Sequence, residues 1–288
     1  MTTNLTAKTP LLPVTWWGLL IRALLGFALL MGANLARVPF HTWAAQRWPD
    51  GDAQLAATSL IFLLTPLLII AAVALWMRLV ERASLSVTTL TNFRALLPGF
   101  AGGLLLAGLA VLLGWIVLAA VDAGTAEVPT LDGNDMEGTY TAVLLVFLFI
   151  RAVLLQGLPE ELIYRGWFFH VTRHRPWLTL AWTTVAFTVI HLLSSGGQEN
   201  AADRLFYLIT PLGMGFLAGA VVLWRRSVWW AVGTHGGLHI WMAVGSVIHP
   251  VDLGRAAWIV LGVTQLLVGA VILWMWQRGR TGASVGLQ

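Results

Sequence analysis

About eight runs of roughly twenty apolar residues constrain this chain more than any other feature of its sequence. A helix of that length crosses the hydrocarbon core of a bilayer and satisfies every backbone polar group internally. We therefore expect an all-α fold: a polytopic membrane helix bundle of about eight transmembrane helices, forming one domain over residues 1–288. The predicted spans are Trp16 to Leu35, Leu55 to Met77, Leu96 to Val121, Tyr140 to Leu158, Trp177 to Leu193, Phe206 to Trp224, Trp229 to Ile248 and Ala256 to Trp276.

Composition excludes several classes of protein. Charged residues make up 10% of the chain and hydrophobic residues 58%, whereas a soluble domain carries about 25% charged residues. The absence of cysteine excludes disulfides and thiolate chemistry. The net charge of +4 does not indicate a nucleic-acid partner, because the basic residues lie in short loops between apolar spans.

The distribution of basic residues predicts the orientation of the helices. Short cytoplasmic loops are enriched in Lys and Arg, and one set of alternate connections holds most of them, from Lys8 to Arg280. This pattern predicts that both termini are cytoplasmic. The connection from Asp122 to Thr139 is acidic and rich in glycine, which predicts an exposed external loop.

Two acids and an arginine interrupt the fourth apolar run. Glu161 and Arg165 are four residues apart, the favourable spacing for an ion pair on one helical face. Glu160 points about 100° away from Glu161 and is free to act elsewhere. Gly157 and Pro159 predict that one helix ends near Leu158 and that Glu160 lies in the first turn of the next.

Three histidines fall inside apolar spans, His191 in the fifth and His235 with His239 in the seventh. The last two are four residues apart and share one helical face. With Glu160 they support two chemistries. Carboxylate and imidazole can activate a water while other donors hold an oxyanion, or the same groups can form a zinc site. Glycines 236 and 237 are expected to leave room for a substrate backbone.

These motifs follow one another as E-E-x-x-x-R, F-x-x-x-H and H-x-x-x-H. The combination resembles the CPBP family of intramembrane CAAX-protease and bacteriocin-processing enzymes, over about Leu145 to Gly245. We accordingly expect residues 145–245 to be the catalytic core of an intramembrane endopeptidase. The family usually has Asn or another small polar residue where this chain has His239.

The resemblance also implies roles for individual residues. Glu160 with His191 would activate the water, and His235 with His239 would stabilise the oxyanion or bind a metal. Glu161 with Arg165 would support the site, and Phe187 belongs to the second motif. Zinc and a metal-independent glutamate mechanism are both open. The expected setting is a bacterial-type plasma membrane, with a membrane-anchored or lipidated peptide as substrate.

Two alternatives are also compatible with the sequence, an ion- or proton-coupled transporter and an inactive CPBP-type scaffold or immunity protein. The depth of His191 in its span predicts a cavity in the cytoplasmic half, with a hairpin protruding between the fourth and fifth spans. Arg22 and Arg151 are expected to snorkel or to pair with loop acids. The sequence leaves the oligomeric state open.

Overall fold

The structure is a computed structural model and describes residues 9–121, 141–194 and 196–285, with side chains as far as residue 280. Every regular element in these ranges is helical, which confirms the all-α prediction. The predicted external loop from Asp122 to Thr139 lies outside the described residues. The α-helices are α1 Trp16–Ala36, α2 Val38–Arg47, α3 Gly51–Phe62, α4 Leu64–Leu79, α5 Leu96–Ala120, α6 Thr141–Phe149, α7 Leu158–Glu161, α8 Phe168–Thr172, α9 Pro176–Ile190, α10 Ala201–Tyr207, α11 Ile209–Arg225, α12 Val228–Ile248 and α13 Arg255–Val285.

Seven helical segments in the described part of the chain are long and apolar enough to cross a membrane. They confirm a polytopic membrane-type bundle. The predicted seventh span forms α12, which has 21 residues but is not among those seven. The two histidines of α12, His235 and His239, lower its mean hydropathy. This helix therefore carries imidazoles into an otherwise apolar bundle. The orientation of the termini stays a prediction.

Glycines allow α12 to lie directly against α5. A Cβ atom on Gly103 would stand 2.2 Å from the carbonyl oxygen of Trp230, and one on Gly233 would stand 2.3 Å from that of Phe100. Both distances are far below van der Waals contact, so neither position accepts a side chain without moving a backbone. Small residues at such crossings are typical of helix packing in membranes. The contact fixes the depth of the histidines on α12.

The predicted break between Gly157 and Pro159 is wrong. Helical structure is continuous from Thr141 to Thr172, and we call this segment the motif helix. It contains two π-helical stretches, Ile150–Gly157 and Leu162–Trp167. The amide of Leu158 bonds to the carbonyl five residues earlier, and this widened turn accommodates the proline ring, which clashes in a regular α-helix.

Arg22 pairs with Glu81, an acid of the loop after α4, which is one of the two outcomes expected for it. Its Nε and Nη2 atoms each donate to the Glu81 carboxylate at 2.8 Å, and its Nη1 donates to the carbonyl of Pro13 at 3.1 Å. The indole nitrogens of Trp76 and Trp167 also donate to Glu81, at 2.9 and 3.0 Å. Burial by itself raises the pKa of Glu81, but these hydrogen bonds outweigh it and hold that pKa below its ordinary value. The cluster ties the N-terminal segment to the motif helix.

The motif helix turns back into α9 through a short hairpin. α8 ends at Thr172 and α9 begins at Pro176. The Thr179 hydroxyl donates to the Thr172 carbonyl at 2.6 Å, and the Trp182 indole donates to the Thr172 hydroxyl at 2.8 Å. These bonds hold the hairpin tightly closed. Its protrusion beyond the bilayer stays a prediction.

Candidate active site

The Glu161 side chain links two parts of the sequence that are far apart. It is fully buried, and Arg165 Nη1 lies 3.3 Å from its carboxylate, as the spacing predicts. Its Oε1 atom also lies 2.9 Å from His235 Nδ1 on α12. Arg165 and His235 are themselves 2% exposed. The three residues therefore form a buried guanidinium, carboxylate and imidazole chain.

Arg165 is held by groups that the sequence did not indicate. Its Nη2 donates to the carbonyl oxygen of Gly215 on α11 at 2.7 Å. A Cβ atom at Gly215 would stand 2.9 Å from that nitrogen, so the position requires glycine for this approach. A backbone carbonyl leaves no signature in a side-chain pattern, so the sequence did not indicate this contact.

Phe187 lies at the centre of the cluster and is fully buried. The guanidinium of Arg165 stands 4.5 Å from its ring centroid. The ring of His191 is 4.7 Å away and that of His235 is 5.8 Å away, edge to face. Tyr164, which the sequence analysis did not single out, packs edge to face at 5.2 Å. Phe187 thus sets the spacing between the arginine and two of the histidines.

Two of the histidines have defined tautomers. His191 follows the last residue of α9, and its Nδ1 lies 2.8 Å from the Phe187 carbonyl oxygen. A carbonyl only accepts, so this Nδ1 carries the proton. His235 Nδ1 faces the Glu161 carboxylate, which also accepts. In the neutral form each ring therefore keeps its lone pair on Nε2.

His239 lies one turn beyond His235, and the two ring centroids are 5.5 Å apart. Its side chain is half-buried, whereas that of His235 is buried. Arg151 is exposed and within electrostatic range of His239. The predicted common face of the two histidines is therefore present, and a cation of the motif helix lies close to its outer member.

Glu160 points away from the buried chain, as the helical geometry predicts. Its side chain is half-buried and interacts electrostatically with His191 and with Tyr207 of α10. Its Oε2 atom is buried and has no hydrogen-bond partner within the described residues. Each of the two adjacent acids has a buried Oε2 without a hydrogen-bond partner among the described residues. They differ in that the Glu161 carboxylate is engaged by Arg165 and His235, whereas Glu160 faces His191 and Tyr207.

Glycines 236 and 237 do not line a substrate path, contrary to expectation. A Cβ atom on Gly236 would stand 2.8 Å from the Val153 side chain, and one on Gly237 would stand 3.0 Å from Ala107 Cβ. Both residues therefore face neighbouring helices. Their small size lets α12 approach the motif helix and α5 at the level of the histidines.

The chemistry of the histidines favours metal binding, whereas the spacing of the side chains does not. A histidine whose Nδ1–H is fixed by a carboxylate or a carbonyl is the usual form of a metal ligand. Within the described residues, however, no group of three or more His, Asp or Glu side chains is placed so that it could hold one ion. Within that part of the chain the side chains are therefore not grouped as a zinc site requires.

Comparisons with known proteins agree with the motifs. The family model described as "Type II CAAX prenyl endopeptidase Rce1-like" matches residues 142–241. That range includes the acid and arginine motif and all three histidines. Searches of curated proteins and of solved structures found no match. Residues 142–241 are therefore similar to CAAX-type intramembrane proteases, the family that the motifs resemble, and they lie within a bundle of helices long and apolar enough to cross a membrane.

Proposed function

We propose that this protein is an intramembrane endopeptidase that hydrolyses a peptide bond with a water activated by Glu160 and His191. One observation carries the proposal: a buried Arg165, Glu161 and His235 chain lies beside a second acid, Glu160, that has an unsatisfied oxygen. Ionised groups are costly at membrane depth, so this density of charge favours a functional site over a purely structural one.

Glu160 suits the role of general base. Its carboxylate would accept a proton from the attacking water, and the Nε2 lone pair of His191 would accept a second hydrogen bond from the same molecule. The hydroxide would add to the substrate carbonyl, and the proton held by Glu160 would then pass to the leaving amine. Atoms and charge balance, since one water is consumed and one peptide bond is broken.

His235 and His239 suit stabilisation of the oxyanion. Neutral His235 presents a lone pair at Nε2, so it donates to an oxyanion only when the ring is protonated. In that form both ring nitrogens carry a proton, so Nδ1 can donate to the Glu161 carboxylate at 2.9 Å while Nε2 donates to the oxyanion. His239, as a neutral imidazole, has one N–H to donate. Arg165 in turn holds the Glu161 carboxylate in place.

The substrate that we propose is a membrane-anchored or lipidated peptide, cleaved in a cavity open to the cytoplasm. The family description names a CAAX prenyl endopeptidase, which makes a prenylated C-terminal peptide the first candidate. A bacterial-type plasma membrane, with both termini in the cytoplasm, is part of the same proposal. It rests on the basic residues of alternate loops.

Cleavage by the purified protein tests this function. The panel would contain a farnesylated CAAX peptide, the same peptide without the prenyl group, and an unrelated transmembrane peptide. His191→Ala should abolish cleavage, whereas His249→Ala, an exposed histidine outside the cluster, should not. Absence of cleavage for every peptide by folded wild-type protein would favour an inactive scaffold.

The same assay separates the two mechanisms that the sequence left open. Since the described side chains do not group around one ion, we expect a strong chelator to leave cleavage unchanged. Loss of cleavage with chelator, restored by zinc but not by magnesium, would contradict the metal-independent mechanism. It would also require the histidines to move together in the active enzyme.

A further inference from the structure

A cavity lined by several basic side chains lies beside the hairpin that follows the motif helix. It has a volume of about 510 Å³ and is bounded by the end of the motif helix, the start of α9 and the ends of α11 and α13. Among the residues that the structure describes, no acidic side chain lines it. The basic side chains that line it are Arg165, His170, Arg173, His174, Arg226 and Arg280.

The cavity is separate from the catalytic cluster, since Glu160, His191, His235 and His239 do not line it. The two places meet only at Arg165. Arg173 and Arg226 lie on the side of the bundle that the loop charges predict to be cytoplasmic. A ligand could therefore enter from the inner leaflet or from the cytoplasm without passing the proposed site of hydrolysis.

Two nitrogens at the cavity have hydrogen-bonding capacity that the described protein atoms leave unused. Arg165 is 2% exposed, and its Nε makes no hydrogen bond. His170 Nδ1 is also buried and without a partner. A buried donor without an acceptor costs free energy, and converging cations repel one another when no anion lies between them. An anionic ligand would relieve both costs.

Phosphate matches this lining better than a carboxylate does. It offers several acceptor oxygens, and arginine forks bind phosphate through paired N–H donors. Arg165 is already paired with Glu161, but three further arginines line the cavity, more than a single carboxylate needs. We propose that this cavity is a binding site for a phosphate group. Two sources have this chemistry: the headgroup of an anionic phospholipid in the inner leaflet, and a free phosphate ion.

Binding measurements on the full-length protein in a neutral detergent test the proposal without reference to proteolysis. Phosphatidylglycerol and phosphatidylcholine would be titrated separately and counted by native mass spectrometry. Inorganic phosphate would be titrated by calorimetry against chloride at equal ionic strength. The test variant is Arg173→Gln with Arg226→Asn; asparagine is chosen because residue 226 has a φ of 55°, which Asn tolerates.

The matched control is Arg78→Gln with Arg94→Gln. It removes the same number of charges from the same predicted side, and neither residue lines the cavity. Each basic residue near an anionic headgroup strengthens binding several-fold, so the loss of two should weaken binding about thirtyfold. The control should stay within about threefold of wild type, because neither of its two residues lines the cavity.

The lipid and inorganic phosphate titrations test the proposal and also distinguish the two sources of the phosphate group. Tight binding of phosphatidylglycerol, lost in the test variant and kept in the control, supports a lipid headgroup. The same pattern for inorganic phosphate alone supports the free ion. Equal losses in both double variants, or equal binding of phosphatidylcholine and phosphatidylglycerol without any response to inorganic phosphate, would overturn the proposal.

Discussion

The Glu161 carboxylate lies 2.9 Å from His235 Nδ1, although 74 residues separate the two in the chain. On its other side the same carboxylate lies 3.3 Å from Arg165. This double engagement changes the role expected for Glu161. It does not simply neutralise an arginine, because it also fixes the tautomer and orientation of an imidazole in the proposed oxyanion site.

Replacing Glu161 with Gln should reduce both stability and cleavage. The uncharged amide leaves Arg165 as an uncompensated buried charge, at a cost of about 3–5 kcal/mol. Loss of the carboxylate that orients His235 should lower the rate by about 10²- to 10⁴-fold. Thermal unfolding in detergent and cleavage kinetics measure the two effects.

A double variant separates these effects. Glu161→Gln with Arg165→Met removes both charges and should recover part of the lost stability, but none of the lost activity, since His235 remains unanchored. Equal stability of the single and double variants would show that the ion pair is not what makes Glu161 structurally important.

Glu81 gives a pH dependence that is independent of catalysis. Its pKa in the folded protein lies below the ordinary value of 4.5 because of its bonds from Arg22 and two tryptophans, despite the opposing effect of burial. A lowered folded pKa contributes stability that is fully present above pH 4.5 and is lost as the pH falls through the folded value. The melting temperature should therefore fall on acidification below about pH 4.5.

The Glu81→Gln variant is the control for that measurement. It should melt at a lower temperature than wild type at pH 7, and its melting temperature should change less over the acidic range. Parallel curves for the two proteins would assign the acid sensitivity to other carboxylates.

His239 is the position at which this chain departs from the usual pattern of the family that it resembles. If its role is to donate one hydrogen bond to the oxyanion, His239→Asn should keep cleavage within about tenfold of wild type, since an amide also donates. His239→Leu should lose about 10²- to 10³-fold, the usual cost of removing an oxyanion donor. Equal losses in both variants would show that the imidazole itself is needed.

Hydropathy predicted the helices because a helix surface must be apolar whether it faces lipid or a neighbouring helix. Each span therefore appears in the sequence as a long apolar run. Local spacing also predicted the contact between Glu161 and Arg165, because residues four apart on a helix lie on the same face. The break at Pro159 was predicted wrongly because a proline signals only a lost amide and a clash. Whether the helix ends or widens into a π-turn depends on tertiary packing.

Contacts between segments that are distant in the chain could not be predicted from the sequence. The Glu161 to His235 bond depends on how closely α12 approaches the motif helix, which glycines such as Gly236 allow. The pairing of Arg22 with Glu81 depends on the crossing of α1 and α4. Charge alone indicated that Arg22 needed a partner, but a single sequence does not identify which acid is near in space.

The most direct test of the account is the cleavage rate of Glu160→Gln beside that of Glu199→Gln, an exposed glutamate in the loop before α10. Both variants should melt within about a degree or two of wild type, since Glu160 is half-buried and Glu199 exposed. We predict that Glu160→Gln lowers the cleavage rate by at least about 100-fold, as expected for loss of a general base, while Glu199→Gln cleaves normally. Cleavage by Glu160→Gln within about twofold of wild type would contradict the proposed mechanism.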